Sequence, residues 1–265
     1  MSNQKHDEIR TIVRKNYSKV AKTKVNSCCG STGCCSGDSS SDYETISKAL
    51  GYSDKDVSSV PDGANMGLGC GNPQAIASLK EGETVLDLGS GGGFDCFLAL
   101  KAVGKTGTVI GVDMTPEMVS KARKNAEQAG FDNINFRLGE IEYLPVADNS
   151  VDVIISNCVI NLSPEKDKVF HEAFRVLKSG GRLAISDVVA TAEFPEKIKK
   201  DMSLYSACIA GASTIDELKS LLEITGFKNI QITPKDESRK FIKTWAPGRN
   251  IDDYIVSANI EAVKL

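Results

Sequence analysis

Cys70, Cys158 and Cys208 are thiols set far apart in the chain, each in a distinctive local context. Cys70 is flanked by glycines in Met66-Gly67-Leu68-Gly69-Cys70-Gly71-Asn72-Pro73, a segment with no core periodicity. Cys158 lies in Ser156-Asn157-Cys158-Val159-Ile160-Asn161, just past an apolar run that reads as a strand. Cys208 lies in Ser206-Ala207-Cys208-Ile209-Ala210-Gly211. Thiolates are soft donors, so thiols gathered at one site point to a thiophilic acceptor. The bland alternative is a small apolar side chain in the core, because free cysteine is among the most buried residue types. That alternative suits Cys96, on an apolar helical run, and stays open for the helical Cys208. Cys158 is placed differently: open α/β sheets present ligand contacts just beyond the carboxyl ends of their strands.

A second constellation is Asp87-Leu88-Gly89-Ser90-Gly91-Gly92-Gly93, between an apolar strand-like run and a helical one. Glycines let the backbone turn sharply and approach a ligand with no Cβ in the way. A dinucleotide fingerprint has its third glycine three positions after the second, where this chain has Phe94. Here the third comes after two positions, and an acidic residue precedes the loop. This spacing resembles class I methyltransferases that use S-adenosylmethionine. The resemblance implies that Asp87, Gly89, Gly91 and Gly93 face the amino acid portion of that cofactor. Asp113 ends the next strand-like run and would accept hydrogen bonds from both ribose hydroxyls, a charge-assisted arrangement. Met114 would flank the adenine, with Glu140 and Ile141 as further adenine contacts. Asn157 and Tyr17 complete the expected cofactor set.

The segments 65–73, 87–96, 156–162, 186–189 and 208–212 are together similar to those of arsenite S-adenosylmethionine methyltransferases. The resemblance runs from the helix carrying Tyr17 to the tail Ser257-Ala258-Asn259-Ile260-Glu261-Ala262-Val263. It implies that Cys70, Cys158 and Cys208 hold trivalent arsenic, delivered as a thiol complex, and that the enzyme makes methylated arsenicals. It also implies an upstream cysteine that pairs oxidatively with Cys70; Cys28, Cys29, Cys34 and Cys35 are the candidates. Three thiolates leave arsenic a lone pair aimed at the methyl donor, so no general base is needed. That accords with a chain whose only histidines are His6 and His171. Each methylation oxidises arsenic, so a reductant such as thioredoxin or glutathione is an expected partner.

The elements that must position these residues follow from periodicity. Apolar runs at 84–88, 108–112, 134–138, 151–156 and 182–187 alternate with helical stretches that include 94–102, 116–130 and 165–177, with Gly130 and Gly180-Gly181 as stop signals. Such βα alternation predicts a doubly wound, mostly parallel sheet of the Rossmann-like α/β class. Ile9, Ile12, Val13, Tyr17 and Val20 give 6–22 a helical spacing. The Gly/Ser-rich stretch 26–41, which holds the four candidate relay cysteines, reads as a loop. A short helix follows, with Ser41 or Asp42 as N-cap and Gly51 near its end. Beyond Asp187 come helices near 195–208 and 214–225, strands at 227–233 and 254–263, and a stretch at 240–245 that suits either state. The expected division is 1–60 for the N-terminal helices and cysteine loop, 61–190 for the cofactor domain, and 191–265 for a smaller C-terminal α/β portion.

Composition bounds the alternatives. With 265 residues, 41% of them hydrophobic, the chain can form one sizeable core with appended elements. A net charge of −3 with 25% charged residues gives no electrostatic signal for nucleic acid or membrane. No apolar run reaches bilayer length and the start lacks a signal-peptide core, so a cytoplasmic protein is expected. Cytosolic thiols stay reduced, so the eight cysteines read as catalytic, ligating or buried. Two other functions compete. A class I methyltransferase of a small metabolite, such as a quinone precursor, gives the three cysteines no role. A non-enzymatic metal-binding module would use the Cys28-Cys29 and Cys34-Cys35 pairs, whose spacing is not that of a structural zinc knuckle.

Overall fold

In a computed structural model of the chain, residues 3–22, 39–199 and 201–265 are described. Among the described residues, four helices precede the sheet: Asn3–Lys22 (α1), Ser39–Ala49 (α2), Asp54–Ser58 (α3) and Gln74–Ala77 (α4). The alternating region follows as Thr84–Leu88 (β1), Phe94–Val103 (α5), Thr108–Asp113 (β2), Pro116–Ala129 (α6), Ile134–Leu138 (β3) and Val151–Asn157 (β4). Lys166–Val176 (α7) and Leu177–Ala190 (β5) complete it. The C-terminal part holds Glu196–Lys199 (α8), Met202–Ser206 (α9), Ile215–Thr225 (α10), Lys228–Lys235 (β6), Arg239–Ile242 (α11) and Ile255–Val263 (β7). Among the described residues, no helix is long and apolar enough to cross a membrane.

All seven strands form one sheet in the order β3-β2-β1-β4-β5-β7-β6. The first five are parallel, and β7 runs antiparallel to both β5 and β6. The C-terminal strands therefore extend the same sheet. Strands β1 and β4 are nearly continuous apolar runs because both faces are covered. On one face, Leu86, Ile154 and Leu183 pack with Phe170 of α7 and Leu222 of α10. On the other, Val85, Val109 and Ile155 pack with Phe97 of α5 and Val119 of α6.

Strand order reverses between β1 and β4, and the crevice outside the carboxyl ends of those strands is where such sheets bind ligands. The glycine loop leaves β1 there, and Cys158 follows β4. A third apolar cluster closes this end of the sheet, bringing Ile9 and Val13 of α1 against Cys70, Cys158, Cys208 and Ile209.

Most boundaries expected from sequence agree to within two residues, and Gly130 caps α6 in a left-handed conformation. Three elements differ. Helix α7 ends at Val176 as expected, but the strand expected from 182 already begins at Leu177, paired to Val151. Gly180 and Gly181 instead form an irregularity within β5, where they exchange backbone hydrogen bonds with Lys264. The helix expected over 195–208 is two short ones, and α9 starts afresh because Asp201 caps the Ser203 and Leu204 amides. Helix α2 begins at Ser39, so Ser41 and Asp42 lie inside its first turn. The undecided stretch 240–245 overlaps the short helix α11.

Candidate active site

The glycine loop owes its shape to contacts on both sides. Gly89 has φ +73°, and a Cβ there would come within 2.4 Å of a Val159 methyl. The Gly89 and Ser90 amides donate to the Val112 carbonyl, tying the loop to β2. Gly91 has φ +51° and donates its N–H to Asp113 Oδ2 at 3.0 Å. A Cβ on Gly91 would meet nothing within 4 Å, because it would project into open space. That space is a cavity of about 1110 Å³, mouth included, lined by the loop, Asp113, Met114, Ile141 and, from α1, Val13 and Tyr17.

Several features of this cavity fit S-adenosylmethionine. The buried Ser90 Oγ has no hydrogen-bond partner, and neither does Asn65 Nδ2 at the same pocket. Asp113 is fixed by the Gly91 and Thr115 amides, which leave carboxylate lone pairs for ribose hydroxyls. Burial raises its carboxyl above the usual range against those two donors. Asp87 and Asp95 also line the pocket, and burial raises both, with Asp95 adding repulsion at Asp87. They accept only neutral donors: the Cys96 thiol at 3.1 Å for Asp87, and Tyr52 Oη at 2.7 Å and Asn157 Nδ2 at 3.2 Å for Asp95. Two buried carboxylates in need of positive charge suit a cofactor with an ammonium and a sulfonium group.

The thiols converge beside this pocket. Asn157, the last residue of β4, holds the Cys70 loop. Its Oδ1 accepts the Cys70 amide at 3.0 Å, and its Nδ2 donates to the Gly71 carbonyl at 2.9 Å. The glycines around Cys70 are steric necessities, since a Cβ at Gly69 would lie 2.6 Å from Asn157 Nδ2 and one at Gly71 would lie 2.9 Å from Ser186 Cβ. Ser257 of β7 donates to the Cys70 carbonyl at 2.7 Å, fixing the loop from the other side. Cys158 and Cys208 both have φ +61°, a left-handed conformation that is strained for a residue with a Cβ. The Cys208 thiol donates to the Cys158 carbonyl at 2.7 Å, and Cys158 Sγ lies within 4.8 Å of Cys70 Sγ.

All three thiols are buried in an apolar setting. Burial raises Cys70, and its neighbour Cys158 together with burial raises Cys208 well above the usual range. For Cys158 the Cys208 thiol acts downward, but Cys70 and burial outweigh it and the group is also held high. Empty, the cluster is therefore three neutral thiols, and an electrophile that binds must displace their protons.

Of the residues expected from sequence, Asp87, Gly89, Gly91, Asp113, Met114, Ile141, Asn157, Tyr17 and Cys158 line the pocket. Gly93 lies behind the loop as the N-cap of α5, where the Phe97 and Phe136 rings leave no room for a Cβ. Glu140 does not line the pocket and pairs with Arg14 at 2.9 Å and Arg10 at 3.5 Å. Cys70 and Cys208 do not line the pocket but share a buried cluster with Cys158. Cys28, Cys29, Cys34 and Cys35 lie outside the described residues.

Sequence reasoning passed over Asp95, Glu142 and Asp187. Glu142 is buried in the pocket wall, accepting from Ser163 Oγ at 2.6 Å and Arg10 Nε at 3.2 Å. Asp187 lies in the thiol cluster, with a carboxylate oxygen within 4.8 Å of both Cys70 and Cys158 Sγ. Its signal was available: like Asp87 and Asp113, it is acidic and near the carboxyl end of a parallel strand.

The chain is similar to known methyltransferases. A methyltransferase domain model matches residues 79–226. An arsenite methyltransferase of Halobacterium salinarum is 54% identical over 97% of this chain and 67% of its own length. The Mus musculus arsenite methyltransferase is 37% identical over 83% of this chain and 58% of its own. The chain thus spans about two thirds or less of these relatives. The crystal structure of an arsenic(III) S-adenosylmethionine methyltransferase from Chlamydomonas reinhardtii superposes with a TM-score of 0.63 at 33% identity, covering 83% of this chain and 73% of that one. Sheet order, glycine loop and pocket are those of a class I methyltransferase with S-adenosylmethionine as cofactor, and the chain belongs to the arsenite methyltransferase family.

Proposed function

We propose that this protein transfers methyl groups from S-adenosylmethionine to trivalent arsenic held by Cys70, Cys158 and Cys208. The observation that carries this reading is the burial of three thiols from distant segments in one cluster, with Cys158 lining the cofactor pocket. Asp113 is the ribose anchor, Asp87 and the Gly89–Gly93 loop receive the amino acid portion, and Met114 and Ile141 flank the base. The bound cofactor supplies an activated methyl group. The protein then contributes position, which can lower a barrier by about 7–11 kcal/mol when reacting groups are held in line.

Arsenic enters as a thiol complex and exchanges its ligands for the three cysteines, whose protons leave with the displaced thiols. Its lone pair then forms the new arsenic–carbon bond as the sulfonium–methyl bond breaks, the electron pair of that bond staying on the sulfur of the departing thioether. No protein group needs to remove a proton in that step. The arsenic is oxidised by two electrons, and one disulfide formed from two thiols returns it to the trivalent state. Cys70 with one of Cys28, Cys29, Cys34 or Cys35 is the pair assigned here, reset by an external dithiol or glutathione. The test is incubation with arsenite, S-adenosylmethionine and a dithiol, followed by speciation of the arsenic. Methylated arsenicals are expected; cofactor turnover without them would refute the reading.

A further inference from the structure

Three thiolates satisfy trivalent arsenic, and this leaves Asp187 without a role although it sits in the same cluster. Its carboxylate is held by three N–H donors: Ile160 to Oδ2 at 2.9 Å, and Asn161 Nδ2 at 2.9 Å and Val188 at 2.8 Å to Oδ1. A carboxylate offers about four lone-pair sites, so one remains open on Oδ2. A carboxylate oxygen, Cys70 Sγ and Cys158 Sγ all lie within 4.8 Å of one another, buried. Ligating carboxylates are commonly fixed in this way by outer hydrogen bonds.

We propose that Cys70, Cys158 and Asp187 form a site for a thiophilic divalent cation, Zn²⁺ or Cd²⁺, whose binding excludes trivalent arsenic from the shared thiols. Zinc takes thiolate sulfur at about 2.3 Å and carboxylate oxygen at about 2.0–2.2 Å, so tetrahedral ligands stand roughly 3.5–3.8 Å apart. Closing this group takes movements of about an ångström. Two thiolates, one carboxylate and a divalent cation sum to one negative charge, and the Lys166 ammonium acting on Asp187 offsets it. The two thiol protons leave to solvent. Trivalent arsenic forms three bonds to soft donors and keeps its lone pair, so it takes Cys208 and has no place for the hard carboxylate. The two ions share two ligands and differ in the third. This inference rests on the arsenic reading only for what the cation displaces.

The test uses the full chain with Cys28, Cys29, Cys34 and Cys35 changed to Ser, which removes competing thiols. Cd²⁺ and arsenite are titrated separately without S-adenosylmethionine, following thiolate charge-transfer absorbance. Cys208→Ser should keep Cd²⁺ affinity within about threefold and lose arsenite, whereas Asp187→Asn should weaken Cd²⁺ by about tenfold or more and spare arsenite. Prior loading with Cd²⁺ should block arsenite. Unchanged Cd²⁺ affinity in Asp187→Asn, or simultaneous binding of both ions, would overturn the proposal. Because Asp187 also anchors the turn after Cys158, X-ray absorption of the cadmium-loaded parent gives a test free of that substitution. A shell of two sulfurs with oxygen is expected, and an all-sulfur shell would overturn the site. Cd²⁺ binding in this pattern with no arsenite binding refutes the arsenic reading alone; arsenite binding without Cd²⁺ binding refutes this one alone.

Discussion

Asp113 and Cys158 show how much a single side chain can decide when its backbone is already fixed. Asp113 is locked by two amides, so its remaining lone pairs are prearranged for a diol. A hydrogen bond to a charged group contributes about 1.5–3 kcal/mol, so Asp113→Ala should weaken S-adenosylmethionine roughly ten- to a hundredfold. Calorimetric titration checks this, and arsenite binding in the same protein should hardly move. Cys158 lies in a strained conformation of the kind that persists where surrounding structure enforces it. Cys158→Ser and Cys208→Ser each replace a soft donor with a hard, protonated one and should abolish arsenic methylation. Cys96→Ser is the control. Its thiol donates to Asp87 at 3.1 Å, a bond serine can also make, so activity should persist; the folding midpoint is expected to fall only modestly. Arsenic speciation and a thermal melt on the three proteins read both outcomes. The sequence revealed Asp113 and Cys158 through their place at strand ends. It did not reveal the orientation of Glu140, because a half-buried carboxylate next to a pocket residue goes to the nearest arginine and only the tertiary structure supplies one.

At the scale of elements, α1 helps to line the pocket and is seated by apolar packing of Ile9 and Val13 and by one buried arginine. Arg10 pairs with Glu165 and, at 3.2 Å, with Glu142, while Val13 and Tyr17 on the same helix enter the pocket wall. The helix was legible from the spacing of Ile9, Val13 and Tyr17, but its clamp was not: Arg10 meets partners more than 130 residues away. The glycine pair in β5 misled for a related reason. Gly180-Gly181 is a good helix stop in isolation, and only its backbone bonds with Lys264, just past the partner strand β7, show it to be a strand irregularity. The clamp gives a pH prediction. Lys168 and Arg10 lower the Glu165 carboxyl to about 2. A depressed folded pKa means that this contribution is complete above the ordinary carboxylate range, near 4.3, and is lost as pH falls through about 2. Amide hydrogen exchange in α1 should therefore quicken relative to β1 and β4 as the medium is acidified over that window. Arg10→Ala should show the quickened exchange already at neutral pH, with little further change from acid. Equal exchange in the two proteins at neutral pH would show that apolar packing alone seats the helix.

The whole molecule brings together parts that no local pattern relates. Cys70 precedes the sheet, Cys158 follows β4, Cys208 follows α9, and Ser257 of the last strand fastens the Cys70 loop. The βα alternation predicted the sheet and the side on which ligands bind, but insertion of β7 between β5 and β6 needed the fold itself. The segment with Cys28, Cys29, Cys34 and Cys35 joins α1 to α2, and both helices line the pocket, through Tyr17 and Ser47. The role proposed for these cysteines is electron delivery and not arsenic binding, and the two roles give different kinetics. Replacing all four with Ser should leave S-adenosylmethionine affinity and a first turnover on a trivalent arsenic–thiol complex unchanged. Steady-state methylation should drop, most of all when a protein dithiol is the only reductant, because small thiols can enter the site and bypass the relay. Single-turnover and steady-state assays on one preparation separate the possibilities. An equal fall in both, with weaker arsenic binding, would make the four cysteines ligands. No fall in either would leave Cys70 without a partner on this segment and would place the reduction wholly in external thiols.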